Sequence, residues 1–278
     1  MATLNFKRVN VHYTDMGSGE PVVFVHTGPG NSTHWRKICD ILKDSYRLLA
    51  IDLYGRGGTD PWSNKSAMQL DDEADLVMAL ISTCEDAVHL VGHSYGGAVS
   101  IRLALADQKR LQSLILIEPE VYPLLKQIGE EELFAEPRRV CDNFVDVASK
   151  GSKEEAWNRS FDYYNGEGAW RSLPSTVRKG FIGMTPMAIA AWLALFSNPT
   201  TVEDCRKLKI PTTMLCGECT MEVERRLSKV IAKLISDCRY KVIKGAGHLS
   251  PITHPMEVAA ELRDHLQCHT AYSKPHKT

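Results

Sequence analysis

Val88-His89-Leu90-Val91-Gly92-His93-Ser94-Tyr95-Gly96-Gly97 opens as an apolar run and closes as Gly-x-Ser-x-Gly. A stretch rich in small residues at helical spacing, Ala98 to Ala106, follows it. Strand, sharp turn and helix is the context that makes the bare pattern a nucleophile elbow. The residue types suit that chemistry. Ser94 must sit on a strained turn with its oxygen exposed. Gly92 and Gly96 leave room for the strand and the helix to approach closely. The backbone N–H of Tyr95, at the start of the helix, can point at a developing oxyanion. An ordinary Gly-Ser turn would need neither neighbour.

Outward from this stretch, apolar runs alternate with helical patterns. Val9, Val11 and Tyr13 alternate with polar residues, the period of a half-buried strand. Val22 to Val25, Tyr46 to Ile51 and Leu111 to Ile117 are continuous apolar runs, as are the strands of a sheet buried on both faces. Ile210 to Gly217, with Pro211 at its entry, and Arg239 to Ile243 resume the pattern late in the chain. Helical spacing falls at Ser32 to Lys43, Ala67 to Cys84, Glu222 to Ile235 and Pro255 to Leu266. The expected fold is α/β: a mostly parallel, twisted sheet covered by helices on both faces. In such sheets ligands sit at the carboxyl ends of the strands. His26, Asp52, Ser94 and Glu118 each follow an apolar run directly, so they share one rim.

Between residues 120 and 200 the alternation stops. Three of the five tryptophans (Trp157, Trp170, Trp192) and five of the seven phenylalanines fall in this stretch, which reads as helices broken by Gly and Pro. Its place between two rim-forming strands predicts a helical lid (cap) over an apolar pocket. The expected organisation is therefore a core over 1–119, a lid over 120–200, the rest of the core over 201–268, and a polar tail over 269–278.

A hydrophobic content of 44%, a charged content of 24% and a net charge of −1 describe an ordinary soluble globular chain. They give no electrostatic case for binding nucleic acid or an anionic membrane. No apolar run nears the ~20 residues that cross a bilayer, and Met1 to Arg8 lacks a signal pattern, so a cytoplasmic location is expected. The eight cysteines are scattered and read as reduced. Cys216 and Cys219 form a Cys-x-x-Cys without the second ligand pair that a zinc site needs, and a redox role is not expected for them.

Four motifs in order carry a resemblance to the α/β-hydrolase superfamily, in the lid-bearing, esterase- and lipase-like branch. They are His26-Thr27-Gly28-Pro29-Gly30, Asp52-Leu53-Tyr54-Gly55-Arg56-Gly57, Gly92-His93-Ser94-Tyr95-Gly96-Gly97 and Gly245-Ala246-Gly247-His248. The resemblance covers nearly the whole chain. It implies Ser94 as nucleophile and His248 as general base. It implies an oxyanion hole of the Tyr95 N–H with one from Thr27 or Gly28. His26 then organises its loop, and Asp52 pins the adjacent turn.

The third member departs from the common pattern. In Gly217-Glu218-Cys219-Thr220, Thr220 holds the place of the usual Asp. Some members of the superfamily place the acid one strand earlier, which implies Glu118; Glu222 and Glu120 are the alternatives. The order Ser94, Glu118, His248 keeps the chain order of the fold. The implied activity is hydrolysis of a small to medium apolar carboxylic ester through an acyl-enzyme on Ser94, with no cofactor and no metal. Carbon–carbon bond hydrolysis, perhydrolysis, cofactor-free dioxygenation and a non-catalytic ligand-binding role stay open as alternatives. Epoxide hydrolase and dehalogenase relatives have an Asp at the elbow, where this chain has Ser94. The partner expected is a small-molecule ester; the oligomeric state is not legible.

Overall fold

A computed structural model describes residues 1–64 and 66–270; most of the predicted polar tail, residues 271–278, lies outside it. Eight strands form one sheet: β1 (Ala2–Phe6), β2 (Val9–Met16), β3 (Pro21–Val25), β4 (Arg47–Ile51), β5 (Val88–His93), β6 (Leu111–Ile117), β7 (Thr212–Gly217) and β8 (Cys238–Ile243). Their spatial order is β1-β2-β4-β3-β5-β6-β7-β8. β2 runs antiparallel to β1 and β4, and the pairs from β4 to β8 are parallel. This is the α/β-hydrolase fold.

Residues alternate between faces along each buried strand, which is why the runs are apolar throughout. Val23, Val25, Leu49, Ile51, Leu90 and Leu116 pack on one face with the helices Leu70–Ile81 and Tyr95–Ala106. Val22, Phe24, Leu48, Ala50, Val91 and Ile115 pack on the other with the helices Arg36–Leu42 and Pro255–Cys268. All twelve of these strand side chains are fully buried, so truncating one large member to Ala would cost ~2–5 kcal/mol.

The first strand is a departure from the sequence reading, which left Met1 to Arg8 unassigned. β1 and β2 form a hairpin whose two-residue turn, Lys7 and Arg8, has φ of 48° and 69°. Such turns usually carry Asn or Gly, and Lys-Arg gives no signal. The helix expected at Ala67 to Cys84 is shorter, Leu70–Ile81, because Gln69 and Asp72 close a capping box at its start.

Between β6 and β7 the chain forms seven helices, from Pro123–Gln127 to Val202–Lys207. The aromatics found in this stretch pack on one another. Trp157 stacks on Trp170 at 6.4 Å, and Phe181 meets Trp157 edge-on at 5.0 Å. No single helix among the described residues is long and apolar enough to cross a membrane.

Candidate active site

Ser94 closes β5 with φ 57° and ψ −121°, a left-handed conformation that a non-glycine residue rarely holds. Backbone bonds lock it there. Its N–H donates to the Ile117 carbonyl at 2.8 Å, and its own carbonyl accepts from Gly97 and Ala98 at 2.9 and 3.1 Å. The glycines are needed for space. A Cβ on Gly96 would lie 2.4 Å from the His26 carbonyl oxygen, and one on Gly92 would lie 2.5 Å from that of Gly96.

The hydroxyl so presented meets an imidazole. His248 Nε2 is 3.1 Å from Ser94 Oγ, and its Nδ1 is 2.6 Å from Glu118 Oε2. Glu118 follows β6 with φ 43°. It is fully buried and held by two donors: the Gly217 N–H to Oε1 at 2.6 Å and the Thr220 hydroxyl to Oε2 at 2.8 Å. Burial alone would lower the His248 pKa. The Glu118 hydrogen bond and charge, followed by the charges of Glu224 and Glu120, outweigh it and lift the group to about 9.

A second histidine chain anchors His248. His93 Nε2 lies 2.9 Å from the His248 carbonyl oxygen, which can only accept, so Nε2 carries the proton. Burial holds His93 neutral, so its Nδ1 accepts from His34 Nε2 at 3.0 Å. His34, also pushed down by burial to about 3, stacks on His93 with centroids 5.0 Å apart.

The loop after β3 is fixed from below. His26 Nδ1 donates to the Thr27 carbonyl at 2.6 Å, and Nε2 accepts from the Leu53 N–H at 3.1 Å. Asp52 accepts from the N–H groups of Ser32 and Gly58 at 2.6 and 2.9 Å. Arg56 donates to the Gly28 carbonyl at 3.0 Å while buried against Glu73 at 2.8 Å. Thr27, Gly28 and Tyr95 all line one cavity with Ser94 and His248. Arg56 and Glu73 lie 17 residues apart on different elements, and nothing in the chain marks them as a pair.

That cavity, of about 340 Å³, lies between the sheet rim and the helices after β6. The helical side contributes Trp157, Phe161, Phe181, Trp192 and Leu195, and no Lys or Arg is among the lining residues. Glu120 is the one acidic residue in the lining. Its Oε1 accepts from Tyr122 at 2.8 Å and Tyr164 at 3.1 Å. Glu222, the other alternative acid, is exposed at the start of the helix Glu222–Leu234. The buried carboxyl on that helix is Glu224, two residues on, with Oε1 2.9 Å from the Tyr122 hydroxyl. The sequence reading missed Glu224 because a Glu inside a charged amphipathic helix looks like a surface residue. Its place on the inner face, with Val223 and Leu227, was the available signal.

Cys216 is buried and Cys219 exposed, both as free thiols. No group of three or more His, Cys, Asp or Glu among the described residues could hold a metal ion.

Comparison with known proteins agrees with this architecture. The chain is 26% identical over 274 residues to 2-hydroxymuconate semialdehyde hydrolase from Pseudomonas sp. (strain CF600), covering 93% of this chain and 90% of that protein. It is 24% identical to 2-hydroxy-6-oxo-6-(2'-aminophenyl)hexa-2,4-dienoic acid hydrolase from Metapseudomonas resinovorans, covering 92% and 87%. A solved esterase from Thermogutta terrifontis superposes with a TM-score of 0.75 at 24% identity, covering 94% of this chain and 95% of that one. A family model described as alpha/beta hydrolase family matches residues 22–261, and the chain belongs to that family.

Proposed function

We propose that the protein is a serine hydrolase that cleaves a small to medium apolar carboxylic ester through an acyl-enzyme on Ser94. The observation that carries this reading is the connected series Glu118–His248–Ser94 opening onto an apolar cavity lined by no Lys or Arg. Ser94 Oγ attacks the ester carbonyl carbon while its proton passes to His248 Nε2. The carbonyl oxygen becomes an oxyanion facing the N–H groups of Tyr95 and of Thr27 or Gly28; each such donor contributes roughly 3–4 kcal/mol in related chemistry. Glu118 balances the imidazolium. The alkoxide leaves with the proton from Nε2. Water then enters by the same route, gives its proton to His248 and releases the acid and Ser94. Residues 120–200 act as a lid that keeps bulk solvent off the bound ester and admits the single water that deacylation consumes.

The two hydrolase relatives bring a rival reading, carbon–carbon bond hydrolysis. Their named substrates, a muconate semialdehyde and a dienoic acid, each carry a carboxylate. Here a carboxylate would enter a cavity that offers Glu120, no Lys or Arg, and a His248 already paired with Glu118, so burial of the anion would be poorly compensated. That favours a neutral ester.

The test is a chain-length series of neutral p-nitrophenyl esters beside a 2-hydroxy-6-oxo-dienoate, with wild type and Ser94→Ala in parallel. Turnover of the esters, lost in Ser94→Ala, is expected. Turnover of the dienoate without the esters would overturn the reading, as would an ester activity that survives the substitution. Binding of esters without turnover would identify the ligand-binding alternative.

A further inference from the structure

Four oxygen-bearing side chains meet at the cavity wall, two of them, Glu120 and Tyr164, lining the cavity. Tyr122 Oη lies 2.8 Å from Glu120 Oε1, 2.9 Å from Glu224 Oε1 and 3.0 Å from Tyr164 Oη; Tyr164 Oη lies 3.1 Å from Glu120 Oε1. Each hydrogen bond needs its own proton. The two phenols supply one each, and burial keeps both protonated. With both carboxyls ionised, Tyr122 could serve only one of them, and the other would face it lone pair to lone pair. One further proton gives each of the three phenol–carboxyl contacts its own; the Tyr122–Tyr164 approach at 3.0 Å then has none between its oxygens. Glu224 is the better holder: it is fully buried, and its Oε2 has no hydrogen-bond partner. Glu120 receives both phenols and lines the cavity with Ser94 and His248. Burial, then the charge of Glu120, pushes Glu224 up to about 8.

We propose that Glu120 and Glu224, bridged by Tyr122 and Tyr164, hold one proton between them and act as a second anionic arm on the His248 imidazole, beside Glu118. The arm makes His248 a stronger base than one carboxylate would. It also stabilises the imidazolium as the Ser94 proton arrives. Glu224 and Tyr122 are positioning residues in this scheme, because they reach His248 through Glu120 and Tyr164. Tyr164 closes the contact physically, its ring centroid 5.2 Å from that of His248. The remaining groups around the imidazole are Ser94, Thr220 (through Glu118), His93 and His34. Both of these histidines are neutral through burial, so the carboxyls are the only ionised neighbours among the described residues.

The inference rests on His248 being the general base, and its test does not need turnover. The imidazole of His248 is titrated by NMR in histidine-labelled protein, its signal assigned with His248→Gln. In wild type the midpoint should lie well above that of an ordinary histidine. In Glu120→Gln/Glu224→Gln it should fall by about one pH unit or more, the scale of an opposite charge a few ångströms away. In Glu224→Gln alone it should fall by less. A midpoint unmoved in the double variant, or in Glu224→Gln should the double variant not fold, overturns the proposal. A shifted midpoint in a protein that cleaves no ester would leave this arm standing and sink the ester reading; ester turnover with an unmoved midpoint would do the reverse.

Discussion

Thr220 Oγ1 donates at 2.8 Å to Glu118 Oε2, the same oxygen that faces His248 Nδ1 at 2.6 Å. The residue that holds the place of the usual acid therefore supports Glu118, the carboxylate that follows the neighbouring strand and is proposed as the acid. A hydrogen bond to a charged acceptor contributes roughly 1.5–3 kcal/mol. Part of that is recovered because the Gly217 N–H still holds the other oxygen. Thr220→Val, equal in shape and without the donor, should lower kcat about tenfold and leave KM within about twofold, each tenfold being ~1.4 kcal/mol. Unchanged kcat would show that Thr220 only fills space.

Glu118→Gln should lower kcat by about 10⁴, as in triads whose acid is made an amide. The same geometry predicts a rescue. A carboxylate at 220 would start from a side chain already within 2.8 Å of the Glu118 oxygen that meets His248. Glu118→Gln/Thr220→Asp should regain at least tenfold over Glu118→Gln alone. Thr220→Asp in the wild-type background should be impaired, because it sets two carboxylates side by side. A double variant no better than the single one would show that position 220 cannot orient the imidazole.

Ser94 stores backbone strain at φ 57° and ψ −121°. Such a conformation costs a side-chain-bearing residue ~1–3 kcal/mol, and glycine adopts it at little cost. Ser94→Ala and Ser94→Gly should both be inactive, but Ser94→Gly should melt about 2–3 °C above Ser94→Ala, the shift expected for ~1 kcal/mol in a chain of this size. Equal melting temperatures by differential scanning calorimetry would show that the turn is not strained.

Much of this was legible in the chain because the signals were local. A continuous apolar run marks a buried strand, and a Gly-x-Ser-x-Gly at its end marks a strained turn. His248 stood out by its Gly-rich loop after the last strand run. What escaped was long-range or disguised. The Arg56–Glu73 pair joins the loop after β4 to the helix Leu70–Ile81. Glu224 sits among charged neighbours on a helix and is revealed only by the face it turns inward. Thr220 read as a missing acid, although a hydroxyl beside a buried carboxylate is a donor. The Lys7-Arg8 turn broke the usual residue preference, and the one signal for β1 was the alternation of Ala2, Leu4 and Phe6 with Thr3 and Asn5.

The pH dependence of activity and of stability should run in opposite directions. In the proposed mechanism the general base is neutral His248, whose pKa is lifted to about 9 against burial by the Glu118 hydrogen bond and charge, then by Glu224 and Glu120. At neutral pH the ring is mostly imidazolium, so kcat/KM should rise with pH, about tenfold per unit below pH 8, and level off near pH 9. The sign for stability follows from linkage. A histidine whose folded pKa exceeds the unfolded value binds its proton more tightly in the native state. Its contribution is complete below about pH 6.5 and is lost as pH rises through about 9, on the order of 3 kcal/mol in all. The measurement is the difference in unfolding free energy between wild type and His248→Gln by urea titration, at pH 6 and at pH 9.5, beside the pH profile of kcat/KM. A difference that grows with pH, or a kcat/KM that levels off near pH 7, would mean that the flanking carboxyls do not hold the proton on His248.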